Sequence, residues 1–324
     1  MYTPAKKWVE VGANGVTYER PVLSHTPVLP EEVLRWILPH PGGRYLDCTL
    51  GQGELAARIL ERSAPNGYLI GIDRDKEAIT SAAERLKPFA SRTHLIYGNF
   101  RDVKGHLQAM SISEVDGVVF DLGVSSAQLD CPERGFSFLA NGPLDMRMDQ
   151  TTGPTAADLV NELSETKLAD VVYQYGEERY ARRIARAVVR SRAHRRLQTT
   201  AELVSVIRQA VPAAYRHGRL HCATRTFQAL RIAVNRELEG LDAAIRDAAD
   251  LLSSGGRLCV ISFHSLEDRI VKQTLRSLSC GPQASLLLCT KKPLVPSETE
   301  RRNNPRARSA KLRVAERLPS RRSP

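Results

Sequence analysis

Between residues 45 and 121, short apolar segments alternate with amphipathic segments of helical length. The predicted strands are Tyr45–Leu50, Tyr68–Asp73, His94–Tyr97 and Val115–Asp121. Helical periodicity marks the segments between them, for example Glu54–Arg62 and Lys76–Leu86. Strands buried on both faces are apolar throughout, and helical connections make neighbouring strands parallel. The alternation therefore predicts an α/β fold with a doubly wound parallel sheet, whose ligands bind at the carboxyl ends of the strands.

The alternation stops after Asp121 and resumes later in the chain. Residues 123–149 are rich in turn-forming residues, and residues 155–212 have helical periodicity, so we interpret this part as an insertion. The sheet pattern returns with a helix at Thr226–Leu252, a strand at Arg257–Phe263, a helix at Leu266–Leu278, and strands at Ser285–Thr290 and Lys311–Ala315. The predicted division is an N-terminal extension at residues 1–22, an α/β domain at 23–135 and 220–318, a helical insertion at 136–219 and a basic tail at 319–324.

The positive charge of the chain is concentrated in its second part. The formal net charge is +11, but residues 1–178 carry 17 Lys and Arg against 25 Asp and Glu, whereas residues 179–324 carry 30 against 11. Between Arg179 and Arg231 there are thirteen arginines and a single acid, Glu202. A charge run is most often a solvated helix face, yet acids are too scarce here for pairing along a helix. We favour contact with nucleic acid, and the candidate residues are Arg190, Arg192, Arg195 and Arg196.

Several classes of protein are disfavoured by composition. No segment approaches the roughly 20 apolar residues that a membrane span requires, and the first residues lack the apolar core of a signal peptide. The six cysteines contain no Cys-x-x-Cys pair, so neither a zinc ribbon nor a disulfide framework is indicated. We expect a cytoplasmic protein with reduced cysteines, no membrane contact and no metal ion.

Glycines and carboxylates follow the predicted strands at spacings that suit a nucleotide-like cofactor. Gly51 and Gly53 come between the first strand and its helix, where glycines let the backbone approach a ligand. Asp73 ends the second strand, where a carboxylate can accept both hydroxyls of a ribose. The same glycines fit the loose dinucleotide pattern, so an NAD-dependent oxidoreductase stays an alternative. Asp47 and Asp121 favour a sulfonium or ammonium ligand, because carboxylates repel a pyrophosphate.

Longer motifs along the chain resemble those of one family. The motifs are His25–Leu29, Gly71–Asp75, Asp121–Asp130, Glu133–Phe138, Gly142–Asp149, Thr226–Asn235 and Ser262–Arg269. Together they resemble the bacterial 16S ribosomal RNA cytosine-N4 methyltransferases, the RsmH or MraW family, over residues 25 to 318. The resemblance implies the class I S-adenosylmethionine-dependent methyltransferase fold with an inserted helical domain. It also implies methylation of the exocyclic amine of a cytosine in the decoding region, with 16S ribosomal RNA of the small ribosomal subunit facing the insertion.

The family resemblance assigns site residues as well. It places the S-adenosylmethionine contacts on Glu54, Leu55 and Ala56 at the first helix, on Asp73 for the ribose, on Phe100 for the adenine, and on Asp121 and Gln128 near the transferred methyl. Asp121 is the candidate catalytic residue, because a carboxylate can orient the weakly nucleophilic amine and take its proton. The alternative for Asp121 is a structural cap of the turn that follows it.

The chain departs from the family at residues 54–56. Where the family usually has Gly, His and Ser or Thr, this chain has Glu54, Leu55 and Ala56. Backbone contacts with the cofactor survive such changes, but side-chain contacts do not. A second alternative is therefore a non-enzymatic RNA-binding or ribosome-assembly factor that keeps the fold. His264 is not counted as catalytic, because a structural hydrogen-bonding role explains it equally well. Phe136 and Phe138 lie two residues apart, a spacing more typical of packing than of base stacking.

Overall fold

The computed structural model describes residues 9–11, 17–19 and 27–319. Strands β1 (Val9–Val11) and β2 (Thr17–Glu19) pair antiparallel in the predicted N-terminal extension. The rest of that extension, and all of the predicted basic tail beyond residue 319, lie outside the described residues. The predictions for those segments are therefore untested.

The described residues form a mixed seven-stranded sheet. Its strands are β3 (Arg44–Asp47), β4 (Tyr68–Asp73), β5 (Thr93–Tyr97), β6 (Val115–Asp121), β7 (Leu252–Ser262), β8 (Leu286–Leu288) and β9 (Lys311–Arg317). They lie in the order β5-β4-β3-β6-β7-β9-β8, with β3 to β7 parallel and β9 antiparallel to both neighbours. The doubly wound α/β fold is confirmed. The bounds predicted for β4 and β6 are correct to the residue, whereas β3 ends at Asp47 and not at residue 50.

Helices cover both faces of the sheet and form the insertion. They are α1 (Pro30–Ile37), α2 (Glu54–Arg62), α3 (Lys76–Arg85), α4 (Val103–Ala109), α5 (Ser126–Asp130), α6 (Ala156–Glu162), α7 (Glu165–Gly176), α8 (Ala181–Arg192), α9 (Thr200–Ala210), α10 (Ala213–Arg216), α11 (Thr224–Asn235), α12 (Leu241–Asp250), α13 (Ser265–Leu278) and α14 (Glu298–Asn303). Within the described ranges, none has the length and apolar character needed to cross a bilayer.

The two faces of the central strands pack against different helices. Along β6, Val118 and Phe120 belong to one apolar cluster, and Val119 between them belongs to the other. Along β7, Leu258 shares the first cluster and Cys259 the second. Helices α4, α12 and α13 complete the first cluster, and α1, α2 and α3 the second. The two-residue period of a strand thus explains why these strands are apolar at successive positions.

The helix predicted at Thr226–Leu252 is wrong. The chain forms α11 and α12 there, and Arg236 and Gly240 between them adopt left-handed φ angles of 51° and 66°. Left-handed residues commonly end helices, and the second of them directly precedes α12. Ile232 and Leu241 on either side of the break are both buried, so apolar residues continue across it and conceal it in the sequence.

The helical insertion has its own apolar core. The buried residues of this core run from Phe136 to Val234 and come from α6, α7, α8, α9 and α11, together with the loop before α6. Helix α11 packs in this core, although the sequence assigned it to the α/β domain. The insertion therefore extends beyond the predicted range 136–219, because the apolar face of α11 is buried against the other inserted helices.

A buried arginine ties the loop before the insertion to the α/β domain. Arg134 contacts the carboxylates of Asp75 and Glu77 at 2.9 Å each, and its guanidinium also donates to the carbonyl oxygens of Arg147 and Met148. The side chains of Arg134 and Asp75 are each 5% exposed. Since both charges lie out of water, each depends on the other for neutralisation.

Replacing Arg134 by Met should destabilise the protein by about 3–5 kcal/mol, because it leaves the Asp75 carboxylate buried without its cation. Urea unfolding measures this change. The matched control is Arg196→Met, which removes an exposed ion pair with Glu162 at 3.3 Å and should cost at most about 1 kcal/mol. An equal loss in the free energy of unfolding for the two variants would contradict a structural role for the buried pair.

Candidate active site

A cavity of about 560 Å³ opens at the carboxyl ends of the parallel strands. Its walls come from the ends of β3, β4, β6 and β7 and from the loops that follow them. This is the edge at which doubly wound sheets bind their ligands, and the volume lies within the range of about 300–1,000 Å³ common for cofactor pockets. The predicted cofactor residues that line the cavity are Gly51, Glu54, Leu55, Asp73, Phe100, Asp121 and Gln128.

The other two predicted cofactor residues, Gly53 and Ala56, do not line the cavity in the described structure. Ala56 is fully buried in the core on the α1–α3 face of the sheet. Gly53 has a φ of +77°, and a Cβ on it would lie 3.3 Å from Ala82 and Leu86. Both residues lie where α2 packs against its neighbours, and their contact with the cofactor stays a prediction.

The loop between β3 and α2 is held against the end of β4. The Gly51 amide, at a φ of +53°, donates to Asp73 Oδ2 over 2.8 Å. The Leu50 amide donates to the carbonyl oxygen of Ile72 over 3.0 Å. Asp73 Oδ1 accepts from the Asp75 amide. Each carboxylate oxygen of Asp73 thus accepts one backbone amide, and the bond from Gly51 fixes the glycine loop. Each oxygen keeps a second acceptor site for a ligand.

Asp47 and Asp73 carry perturbed carboxyl groups on adjacent strands. Burial raises the pKa of Asp47 to about 7, opposed by the Thr49 amide and reinforced by the charge of Asp73. Burial likewise raises the pKa of Asp73 to about 6, although the amides of Asp75 and Gly51 oppose it. Two carboxyl groups so close in a low-dielectric site resist ionising together.

Asp121 is the most strongly perturbed of the three acids. Burial, followed by the charges of Asp47 and Glu267, raises the pKa of Asp121 to about 8. Its amide donates to Thr49 Oγ1 over 2.6 Å, but no donor among the described residues reaches its buried Oδ1. A buried acceptor without a donor is costly. This end of the cavity therefore suits a ligand that brings a positive charge or a hydrogen-bond donor.

The departure at residue 54 is accommodated by a neighbouring helix. Glu54 lies at the start of α2, and its carboxylate is 3.6 Å from the guanidinium of Arg85 on α3. The Glu54 side chain is 18% exposed. The ion pair and the helix N-terminus both stabilise the negative charge, so Glu54 does not require a cationic ligand.

Gln128 and Phe100 line the cavity but are largely engaged within the protein. Gln128 Oε1 accepts from the Ser125 amide, and its Nε2 donates to Asp75 Oδ2 over 2.7 Å. Phe100 packs edge to face on Phe120, with ring centroids 5.7 Å apart. Gln128 is thus fixed by the capping of α5 and by Asp75, and the Phe100 ring is held in one orientation.

A group of titratable residues also lines the cavity, and the sequence singles out only His264 among them. Arg231 donates twice to Glu237, at 2.9 and 2.8 Å, and His264 Nε2 lies 3.1 Å from Glu267. Burial alone would raise the pKa of Glu267, but the hydrogen bond and charge of His264 and the charge of Arg231 lower it overall. The spacing of His264 and Glu267, three residues apart at a helix start, is a capping signal that could have indicated their contact.

This group also has the proximity expected of metal ligands. The candidate ligand atoms of Glu237, His264 and Glu267 lie within 4.8 Å of one another. Arg231 occupies both oxygens of Glu237, and the Glu267 amide donates to His264 Nδ1. These contacts account for the cluster as an ion-pair and helix-capping network.

The four arginines predicted to contact RNA lie away from the cavity lining. Arg192 donates to the carbonyl oxygens of Val160 and Leu163, whereas Arg195 and Arg196 pair with Glu202 and Glu162. Arg190 is exposed on α8. These arginines are paired more than the composition of their own segment predicts, because Glu162 precedes the arginine-rich segment and reaches it only in the folded chain.

Comparison with known proteins gives a consistent set of relatives. Residues 22–318 match the MraW methylase family. A protein of Pelobacter propionicus, named ribosomal RNA small subunit methyltransferase H, is 52% identical over 91% of this chain and 98% of its own length. A protein of Geobacter sulfurreducens with the same name is 49% identical over 91% of this chain and 99% of its own.

Similarity to solved structures is more distant. A putative methyltransferase from Streptococcus mutans in complex with SAH is 11% identical, with a TM-score of 0.40, and the alignment covers 89% of this chain and 95% of that chain. A TM-score this low supports no conclusion about the site.

Asp73→Ala should weaken S-adenosylmethionine binding about tenfold or more, because charge-assisted hydrogen bonds contribute about 1.5–3 kcal/mol each before solvent compensation. Isothermal titration calorimetry measures the affinity. Asp116→Ala is the matched control, since it removes a carboxylate that accepts a backbone amide at the opposite end of the sheet. Unchanged affinity in the Asp73 variant would remove this residue from the cofactor site.

Proposed function

Because this chain belongs to the MraW methylase family, we propose that it methylates the N4 amine of a cytosine in the decoding region of 16S ribosomal RNA. The chain is a class I methyltransferase that uses S-adenosylmethionine, and small-subunit ribosomal RNA is its substrate. The observation that supports N4 chemistry is the buried Asp121 Oδ1, which lacks a donor among the described residues and borders the cavity. An exocyclic amine supplies the donor that this oxygen lacks.

The residues that border the cavity fit the cofactor. Asp73 keeps an acceptor site on each oxygen for ribose hydroxyls, and the Gly51 loop brings the backbone to the same wall. The raised pKa values of Asp47, Asp73 and Asp121 indicate carboxyl groups that lack sufficient positive charge around them. When bound, S-adenosylmethionine supplies a methyl group on a cationic sulfonium centre.

Asp121 is the residue that we assign to the reacting amine. Its backbone amide is fixed by Thr49 Oγ1, and the end of β6 holds the main chain, so the carboxyl group has a defined position. A positive charge in the cavity favours the ionised form of Asp121. The ionised carboxylate accepts a hydrogen bond from N4, orients the amine and takes up the proton that N4 loses.

The position of the RNA outside the cavity is a separate part of the proposal. Arg190, Arg195 and Arg196 have exposed side chains that can contact phosphates. Arg195 and Arg196 would then exchange their ion pairs with Glu202 and Glu162 for contacts with phosphates. Arg192 supports this surface through its bonds to backbone carbonyls rather than through contact with RNA. We further propose that the protein acts in the cytoplasm on the small ribosomal subunit and needs no metal ion.

The two alternative functions have weaker support. An NAD-dependent oxidoreductase would place a pyrophosphate at the glycine loop beside Asp47, and the negative charges would repel each other. A non-enzymatic assembly factor was suggested by the departure at residues 54–56. Glu54 pairs with Arg85 and Ala56 lies in the core, so neither change removes the cavity or its carboxylates.

Mass spectrometry of nucleosides tests the proposed reaction. Small ribosomal subunits from cells lacking this gene are incubated with the purified protein and S-adenosylmethionine, and their RNA is digested. We expect N4-methylcytidine to appear only when both protein and cofactor are present. Methylation on another atom, or no methylation, would contradict the proposed function.

Asp121→Asn should lower the single-turnover rate by about 100-fold or more and weaken cofactor affinity by a much smaller factor, because the amide keeps the shape but neither attracts the cationic cofactor nor takes up a proton. Single-turnover methylation of small subunits and calorimetry with cofactor measure the two quantities. Asp116→Asn is the control for a carboxyl group at the far end of β6. A wild-type rate in the Asp121 variant would leave this residue with a structural role alone.

A further inference from the structure

One apolar side chain at the cavity is almost fully exposed. Leu139 lines the cavity, and 93% of its surface is accessible. The other large apolar residues that are exposed in the described ranges are far less so: Leu38, Tyr97, Tyr173, Leu220, Leu287 and Val295, at 45–65%. A single exposed leucine is ordinary on a protein surface, but this one borders a ligand cavity lined by acids.

The residue before Leu139 anchors the loop from one side. The Phe138 ring packs on Phe227 of α11 and on His221, with centroid distances of 4.9 and 4.8 Å. The Leu139 amide donates to Ser137 Oγ over 3.2 Å. These contacts fix the backbone at Leu139 while its side chain projects into solvent.

The residues after Leu139 anchor the loop from the other side. Thr200, at the start of α9, donates its amide to the Gly142 carbonyl and accepts from the Gly142 amide through Oγ1. Asn141 Oδ1 accepts from the Ala201 amide over 3.2 Å. A Cβ on Gly142 would lie 1.9 Å from a backbone oxygen, so the loop admits no side chain there. The exposed leucine is therefore presented by a loop with fixed ends.

The charge around the cavity indicates a nucleic-acid strand as the occupant of this surface. Arg306 lines the same cavity, where it pairs with Asp130 and can exchange that pair for a phosphate, and residues 291–308 carry six Lys and Arg against two Glu. Because Arg306 and Leu139 border the same cavity, an RNA strand at its mouth can place a phosphate at the arginine and a base at the leucine. Architectural proteins that bind nucleic acid insert apolar side chains between neighbouring bases in a similar way.

We propose that Leu139 is a wedge that fills the position left by the target cytosine in its RNA stack. This inference rests on the proposed function, because it requires that a cytosine leave the RNA and enter the cavity. Asp121 borders the cavity where the strands end, and a base within a stack cannot reach such an enclosed atom. Leu139 packs against the neighbouring base and so opposes the return of the cytosine. It acts as a positioning residue and touches no reacting atom.

The first test is methylation of small ribosomal subunits by Leu139→Ala. We expect kcat/KM to fall about tenfold or more, because the variant loses the burial of most of a leucine side chain. Leu139→Phe should retain most of the activity, since it keeps an apolar wedge. Leu287→Ala is the matched control, because Leu287 is 53% exposed on β8 and does not line the cavity. Wild-type kcat/KM in Leu139→Ala would overturn the proposal.

A second readout separates a wedge from an ordinary docking contact. An RNA that carries 2-aminopurine beside the target cytosine reports unstacking as a rise in fluorescence. The wild-type protein with cofactor should produce this rise, and Leu139→Ala at saturating concentration should not. A reduced rate with an undiminished rise would overturn the wedge. If the wild-type protein does not methylate small subunits at all, the proposed function fails, and this inference fails with it.

Discussion

Three carboxyl groups meet in one cavity, because the strands that carry them are adjacent and parallel. Asp47, Asp73 and Asp121 end β3, β4 and β6, and these strands are neighbours in the sheet. Burial raises the pKa of each group, and a nearby carboxylate adds to the rise: Asp73 acts on Asp47, Asp47 on Asp121, and Asp75 on Asp73. The rest of the site follows from this concentration of negative charge, since a cationic ligand relieves it and a phosphate-rich ligand worsens it.

The surrounding structure maintains this arrangement with separate sets of contacts. Arg134 joins the loop before the insertion to Asp75, next to the glycine loop, and Asn235 donates to Met146 and accepts from the Met148 amide in the same region. The Asn235 bonds lie within the insertion, and the buried Arg134–Asp75 pair connects it to the α/β domain beside the cavity. These bonds hold the loop that presents Leu139 beside the acids.

The sequence predicted elements that depend on local periodicity and missed those that depend on distant contacts. The bounds of α2 are correct to the residue because its apolar positions repeat with helical spacing and Gly53 precedes it. The end of α11 was missed because a left-handed Arg236 leaves no sequence signal. Pairing of Arg196 with Glu162 joins residues far apart in the chain, so composition within one segment could not reveal it. Contact of Arg190, Arg195 and Arg196 with RNA stays a prediction.

Proton release on cofactor binding tests the central claim most directly. At pH 7, Asp121, with a pKa of about 8, is mostly protonated in the ligand-free protein, and Asp47, with a pKa of about 7, is about half protonated. A cationic cofactor lowers these pKa values, so S-adenosylmethionine should release protons and bind more tightly as the pH rises from 6 to 8. Calorimetry in two buffers of different ionisation enthalpy measures this release, which should shrink in Asp121→Asn. Proton uptake, or no exchange, in the wild-type protein would contradict the account.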